Sequence, residues 1–292
     1  VIDPIRGGQR PRPTETVRSA RRRRLGGIAA ATLLVGGCSG GADNTRDASA
    51  EPPPNIASVQ MTAPLDHLHG LHVATRWTVL AGTHTGLYAI DPSGQTVRVG
   101  ESDDDLMGLA GVALTDTLYS SGHPGPSSSA PNPLGLNESA DGGRTWHNRS
   151  LAGEVDFHAL ASDGALLVGF DGIDGLRVST DGGTNWTAGA SVPVASLAIA
   201  ADGVWAVTPD GLQRSVDAAA SFAVVADAPD LVIISAGADG SLWGIDSGGT
   251  AWRSDLARSW QRVAAVGEVE ALAAADYERA YAATSRVLHT LG

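Results

Sequence analysis

Five of the eight histidines in this 292-residue chain sit in short segments that also carry other donor atoms or turn residues. The segments are His67-Leu-His69-Gly, Thr83-His84-Thr-Gly, Gly122-His123-Pro and Asp156-Phe-His158, joined by Asp105-Leu-Met107-Gly and Glu268-Val-Glu270. Imidazole nitrogen, thioether sulfur and carboxylate oxygen are donors for transition metals. Copper suits His with Met, and zinc suits His with carboxylate. The candidate ligands are His67, His69, His84, His123, His158, Met107, Asp105 and Glu270, with copper or zinc as the ion. A plainer use competes for the same imidazoles: hydrogen bonding between neighbouring segments along a wet channel. Asp105, Asp156 and Glu270 are also carboxylates of the kind used in acid–base hydrolysis, but their spacing gives that reading no support. No G-x-S-x-G, P-loop or H-E-x-x-H occurs, and no catalytic residue is assigned.

Repeats show which elements must position these residues. From Ser58 onward, short alternating apolar runs are broken by Gly, Asp, Ser and Pro, with no sustained helical period, so the fold class is all-β. Ser139-Ala-Asp141-Gly-Gly143-Arg-Thr-Trp146 returns as Ser179-Thr-Asp181-Gly-Gly183-Thr-Asn-Trp186. Degenerate copies follow at Ser215-Val-Asp217 through Phe222 and at Arg253-Ser-Asp255 through Trp260, and in every copy the aromatic stands five residues after the Asp. The Asp caps backbone N–H groups of a tight turn, Gly allows positive φ, and the Trp packs on the sheet. A second repeat, beginning at His69, Met107, His158, Ala195, Val232 and Glu270, reads as the innermost strand of six units. The last unit ends after three strands, and residues 57–62 supply its missing outer strand. The expected architecture is therefore a six-bladed β-propeller over 57–292, closed without an exposed edge.

Strand direction then sorts the chemistry by face. Within a blade, successive strands are antiparallel, so the start of the inner strand and the hairpin between strands two and three share one end. The Asp turns lie at the other. His67, His69 and His158 begin inner strands, and His84 and His123 lie in the hairpins of blades one and two, so all five gather at one mouth. The ring nearest the axis reads His69, Met107, His158, Ala195, Val232, Glu270. The ring before it reads His67, Asp105, Asp156, Pro193, Asp230, Glu268. His72, His147 and His289 fall elsewhere and are expected to be structural or superficial.

The S-x-D-x-G-x-T-W turns resemble the Asp-box, or BNR, repeat of sialidase-like propellers. Together with the histidine segments and Asn132-Pro-Leu-Gly, they make the chain similar to secreted bacterial BNR propellers labelled glycosyl hydrolase or exo-sialidase, closely over residues 60–190 and loosely beyond. The resemblance implies glycoside hydrolysis. Sialidases use three Arg to hold a carboxylate, with a Tyr–Glu nucleophile and an acidic proton donor. None of the twelve mouth positions here is Arg, and no Tyr precedes an inner strand. The reading is accordingly a ligand-binding module, with a BNR-type glycoside hydrolase and a protein-interaction scaffold as alternatives.

The N-terminus carries an address. Arg21 to Arg24 precede an apolar run from Leu25 to Gly37, too short to span a bilayer but suited to a signal peptide. Leu34-Val-Gly-Gly-Cys38-Ser resembles the lipobox of bacterial lipoproteins, which implies diacylation of Cys38 and anchorage on the extracytoplasmic face of the cell membrane. Cys38 is the only cysteine, so no internal disulfide forms. Residues 1–37 form the signal segment, with 1–16 read as translated upstream sequence, and residues 38–56 form a polar, Pro-rich tether. All 20 basic residues are Arg, and eight precede Cys38. The remaining chain sets 12 Arg against 30 acids, a net charge of −18 that repels nucleic acid and attracts cations.

Overall fold

A computed structural model describes residues 56–255 and 259–292. The signal segment, Cys38 and the tether lie outside the described residues. Six four-stranded antiparallel sheets form the described part, and it is a six-bladed β-propeller. The inner strands are Leu68–Val73, Asp105–Gly111, Ala159–Ser162, Ser196–Ala200, Leu231–Ala236 and Ala271–Asp276. Each packs on the inner strands of both neighbouring blades, and the sixth packs on the first, so the ring is closed. Among the described residues no helix is long and apolar enough to cross a membrane.

Closure uses the N-terminal strand, Ile56–Gln60, one residue earlier at its start than the spacing suggests. It pairs antiparallel with Val287–Leu291, from Ile56 opposite Leu291 to Gln60 opposite Val287. Met61, expected in the strand, instead turns into the core between blades six and one. Ser58 Oγ lies 2.8 Å from His289 Nδ1 across this joint, which gives His289 a structural role.

The blades pack face to face, so second strands are apolar on both sides. Val79–Thr83 is buried throughout, as is Leu167–Phe170. Trp205 and Trp243, also on second strands, are fully buried, and their indole N–H groups donate to Asp202 Oδ1 and to the Asp276 carbonyl. Near the axis the wedge narrows and side chains shrink to Ala and Gly. A Cβ on Gly108 would stand 2.3 Å from the Phe157 carbonyl oxygen of the next blade, so only Gly fits there. Fourth strands such as His147–Ser150 face solvent and are polar.

The Asp turns join strands three and four. In blade two, Ser139 Oγ accepts from the Gly143 amide at 2.8 Å, and Asp141 Oδ1 accepts from the Thr145 amide at 2.9 Å. Blade three repeats this with Ser179, Asp181 and Asn185. Blade four does so with Ser215, Asp217 and Ser221, although Ala218 and Ala219 take the positive φ that Gly holds elsewhere. Trp146 and Trp186 pack as partly buried edges of the inter-blade cores, with Phe222 in the corresponding place. Blade five differs in register. Ser254 pairs with Trp260, leaving five residues between them. In blade two, extending the pair Glu138–His147 by one step sets Ser139 opposite Trp146, with six residues between. Asp255 thus falls one position early, directly after the serine rather than two residues on.

Candidate metal centre

The mouth is built from blades one to three. His69 stands in a β-bulge: Leu68 pairs with Thr83 and Gly70 with Gly82, which leaves His69 unpaired. A bulge adds one residue and re-aims the side chain, so His69 leaves the strict alternation of its strand. Blade two has a bulge at the same height, spanning Leu106 and Met107, and blade five has one at Val232.

His69 meets His84, from the hairpin of its own blade, and Asp105, at the start of the inner strand of blade two. His69 Nε2 is 3.1 Å from His84 Nδ1 and 3.4 Å from Asp105 Oδ1. His84 Nδ1 is 3.0 Å from Asp105 Oδ2. These three residues form a donor cluster able to hold a metal ion. A tetrahedral zinc ion with bonds of 2.0–2.1 Å spaces its donors roughly 3.3–3.4 Å apart, close to these separations, though the two imidazoles approach different oxygens of Asp105. His84 Nδ1 has at most one proton to offer to its two neighbours, so at least one close contact in the cluster depends on another proton or on a cation. Asp105 Oδ1 is buried and accepts no hydrogen bond. Burial first, and His84 second, hold His69 well below the usual imidazole range, at about 4. At neutral pH the His69 ring is therefore neutral, with a proton on one nitrogen and a free lone pair on the other.

His67 and Glu270 stand beside this cluster, engaged with each other. The His67 ring lies 4.9 Å from that of His69, edge on, but its Nδ1 is 2.9 Å from Glu270 Oε2. Glu270 also accepts from the Leu68 amide at 2.9 Å and the Ser285 amide at 2.8 Å. Its carboxylate ties blade six to blade one and has little capacity left for a metal.

A second group lies one blade on. Asp156 Oδ2 is 3.3 Å from His123 Nε2 and 3.1 Å from His158 Nε2, while its Oδ1 is buried without a partner. Burial pushes the Asp156 carboxyl above the usual range, against the pull of both imidazoles. The sequence placed Asp156 only in the surrounding ring. Its D-x-H spacing, parallel to Asp105-Leu-Met107, was the signal for its role. Met107 is half-buried in its bulge and stands, in blade two, where His69 stands in blade one. His72 is buried and bonded through Nε2 to the Thr115 carbonyl at 2.9 Å, away from the mouth, and His147 is exposed on an outer strand.

Behind the mouth, a cavity of about 490 Å³ runs down the inner strands from His69, His158 and Glu270 to Asp163 and Asp239. Its lining is largely Ala, Gly, Leu, Ile and Val, and no Arg lines it.

No protein-family model matches the chain, and no curated protein does. Solved structures match its fold. A gluconolactonase from Xanthomonas campestris is 12% identical with a TM-score of 0.60, over 81% of this chain and 89% of that one. A streptogramin B lyase is 13% identical with a TM-score of 0.54, over 81% and 97%. The GH74 enzyme of Niastella koreensis is 14% identical with a TM-score of 0.55; it matches 79% of this chain, which spans only 42% of the GH74 chain. At these identities the likeness is one of propeller architecture, and function rests on the residues at the mouth.

Proposed function

We propose that this protein is an exported, lipid-anchored propeller that binds a divalent transition metal at its mouth, between His69 Nε2, His84 Nδ1 and Asp105. The observation that carries the reading is the set of donor separations, 3.0 to 3.4 Å, among two imidazole nitrogens and a carboxylate from three different segments. Two nitrogens and one oxygen favour zinc, and copper(II) accepts the same donors. Three protein donors leave a tetrahedral ion one position for water or a small ligand from the cavity. The acidic surface beyond residue 37 raises the local concentration of cations. The order of Arg block, apolar run and Cys38 supports export and anchoring. The Ser–Asp hydrogen-bond pattern of the turns supports kinship with Asp-box propellers. Arginine is absent from the cavity lining, which favours metal binding over sialidase-type hydrolysis.

The test is metal analysis and calorimetric titration of the full chain carrying no histidine tag. Zinc or copper is expected to bind and to raise the melting temperature. Asp105→Ala is expected to weaken binding at this centre by roughly 1,000-fold, about 4 kcal/mol. Wild-type protein that takes up neither metal and melts unchanged in their presence overturns the reading.

A further inference from the structure

We propose that the mouth holds a second metal ion, one blade on from the first, between Asp156, His123 and His158. The proposal rests on the reading of the mouth as a metal-binding surface and extends it to a two-ion site.

The first support is repetition. In the first centre, a histidine from the hairpin of blade one, His84, meets an aspartate leading the inner strand of blade two, Asp105, at 3.0 Å. In the second, a histidine from the hairpin of blade two, His123, meets an aspartate leading into the inner strand of blade three, Asp156, at 3.3 Å. The same inter-blade His–Asp contact is made twice, displaced by one blade, although only the first set already brings all three of its donors together. Each copy adds a histidine at the innermost ring, His69 in one and His158 in the other.

The second support is proton placement. His123 Nδ1 lies 2.8 Å from Asn132 Oδ1, an oxygen that can only accept, so the ring proton is on Nδ1. A neutral His123 therefore turns the lone pair of Nε2 toward Asp156 Oδ2, itself an acceptor. Two lone pairs at 3.3 Å repel unless a proton or a metal cation lies between them. Fixing one ring nitrogen with a side-chain oxygen while the other faces an ion is how metal-binding histidines are usually oriented. The loop that carries Asn132 follows His123, and its ordering on the ring gives that loop a task.

The third support is the carboxylate. Asp156 Oδ1 is buried with no hydrogen-bond partner, and Oδ2 has only imidazole neighbours. A buried carboxylate oxygen with no hydrogen-bond partner is costly unless a cation pairs with it, and Oδ1 has none. His123 and His158 are each about half exposed, which leaves the ion access from solvent and the rings room to close on it. The two centres also sense each other, since Asp105 acts electrostatically on Asp156 and His158 on His69. Two neighbouring dications repel, so the second is expected to bind more weakly than the first.

The experiment is a zinc titration of the untagged full chain followed by calorimetry, with cobalt(II) absorption as a spectroscopic count of occupied centres. Wild type is expected to take two ions in resolved steps. Asp156→Asn and His123→Gln are each expected to take one, with a native circular dichroism spectrum before metal is added and an unchanged first step. Wild type saturating at one ion that Asp156→Asn retains and Asp105→Ala loses overturns the second centre and leaves the first standing. Two ions in both Asp156→Asn and His123→Gln overturn it as well. Wild type binding no ion overturns both centres together.

Discussion

Two sets of aspartates divide this propeller. On the face away from the mouth, Asp141, Asp181 and Asp217 each receive a serine hydroxyl, a backbone amide and a second side-chain donor from within one turn. Those donors hold their carboxyls down at about 2. At the mouth, Asp105 and Asp156 each keep one buried oxygen without a hydrogen bond and face imidazoles with the other. The difference lies in where the donors come from. A six-residue turn bends its own amides onto its own carboxylate and satisfies it locally. A cleft between blades brings carboxylates to the strand start, where the neighbouring blade offers side chains rather than amides. The first set is finished as structure; the second retains capacity for a cation.

Glu270 is the sharpest challenge to that division, because it is a mouth carboxylate satisfied in the manner of a turn. It accepts from two backbone amides as well as His67. Glu270→Ala is expected to destabilise the fold by about 2–4 kcal/mol, since it strands the Leu68 and Ser285 amides at the joint between blades six and one. Zinc stoichiometry is expected to stay as in wild type. Denaturant unfolding with parallel metal titration checks both. A variant of wild-type stability that has lost an ion would make Glu270 a ligand and erase the contrast.

This residue also marks how far the sequence could be read. Six blades, the closing strand and the gathering of five histidines at one mouth were legible, because each depends on period and strand direction alone. Glu270 occupies the same ring position as His69, and nothing in its neighbours reveals that the Leu68 amide, 202 residues away, occupies it. The separation of the histidines into two groups was equally hidden. It depends on which aspartate each imidazole reaches between blades, and at His69 a bulge re-aims the side chain without altering composition. Asp255 shows the reverse failure. Its distance to Trp260 copies the other turns, but strand register places Ser254 opposite that Trp and the turn one residue short. Spacing to one landmark was right while spacing to the other was not.

The serines test the same contrast at smaller scale. Ser139 Oγ donates to Asp141 and accepts from the Asp141 and Gly143 amides, all in a buried site. Ser120, one strand inward in the same blade and equally buried, has a hydroxyl with no partner. Ser139→Ala is expected to cost about 1–3 kcal/mol, and Ser120→Ala to be neutral or stabilising by about 1 kcal/mol or less. Chemical denaturation of the two variants side by side reads the difference. Equal losses would mean that burial of the hydroxyl, not its hydrogen bonds, sets the cost.

Acid should expose the turns last and most gently, because their carboxylates face solvent and are screened. Each folded carboxyl titrates near about 2, against an ordinary 3.8. A depressed carboxyl stabilises the fold while ionised, so its contribution is complete above 3.8. As pH falls, the unfolded chain takes up the proton first, and the contribution drains away until the folded carboxyl is protonated near 2. The melting temperature of metal-free protein is therefore expected to fall between pH 4 and pH 2. In Asp181→Asn, whose side chain cannot titrate, the fall over that window is expected to be shallower, although the variant starts lower. Parallel curves for wild type and Asp181→Asn would show that the turn donors do not distinguish the ionised from the neutral carboxyl. The saturation that separates this face from the mouth would then be a matter of geometry alone, without energetic consequence.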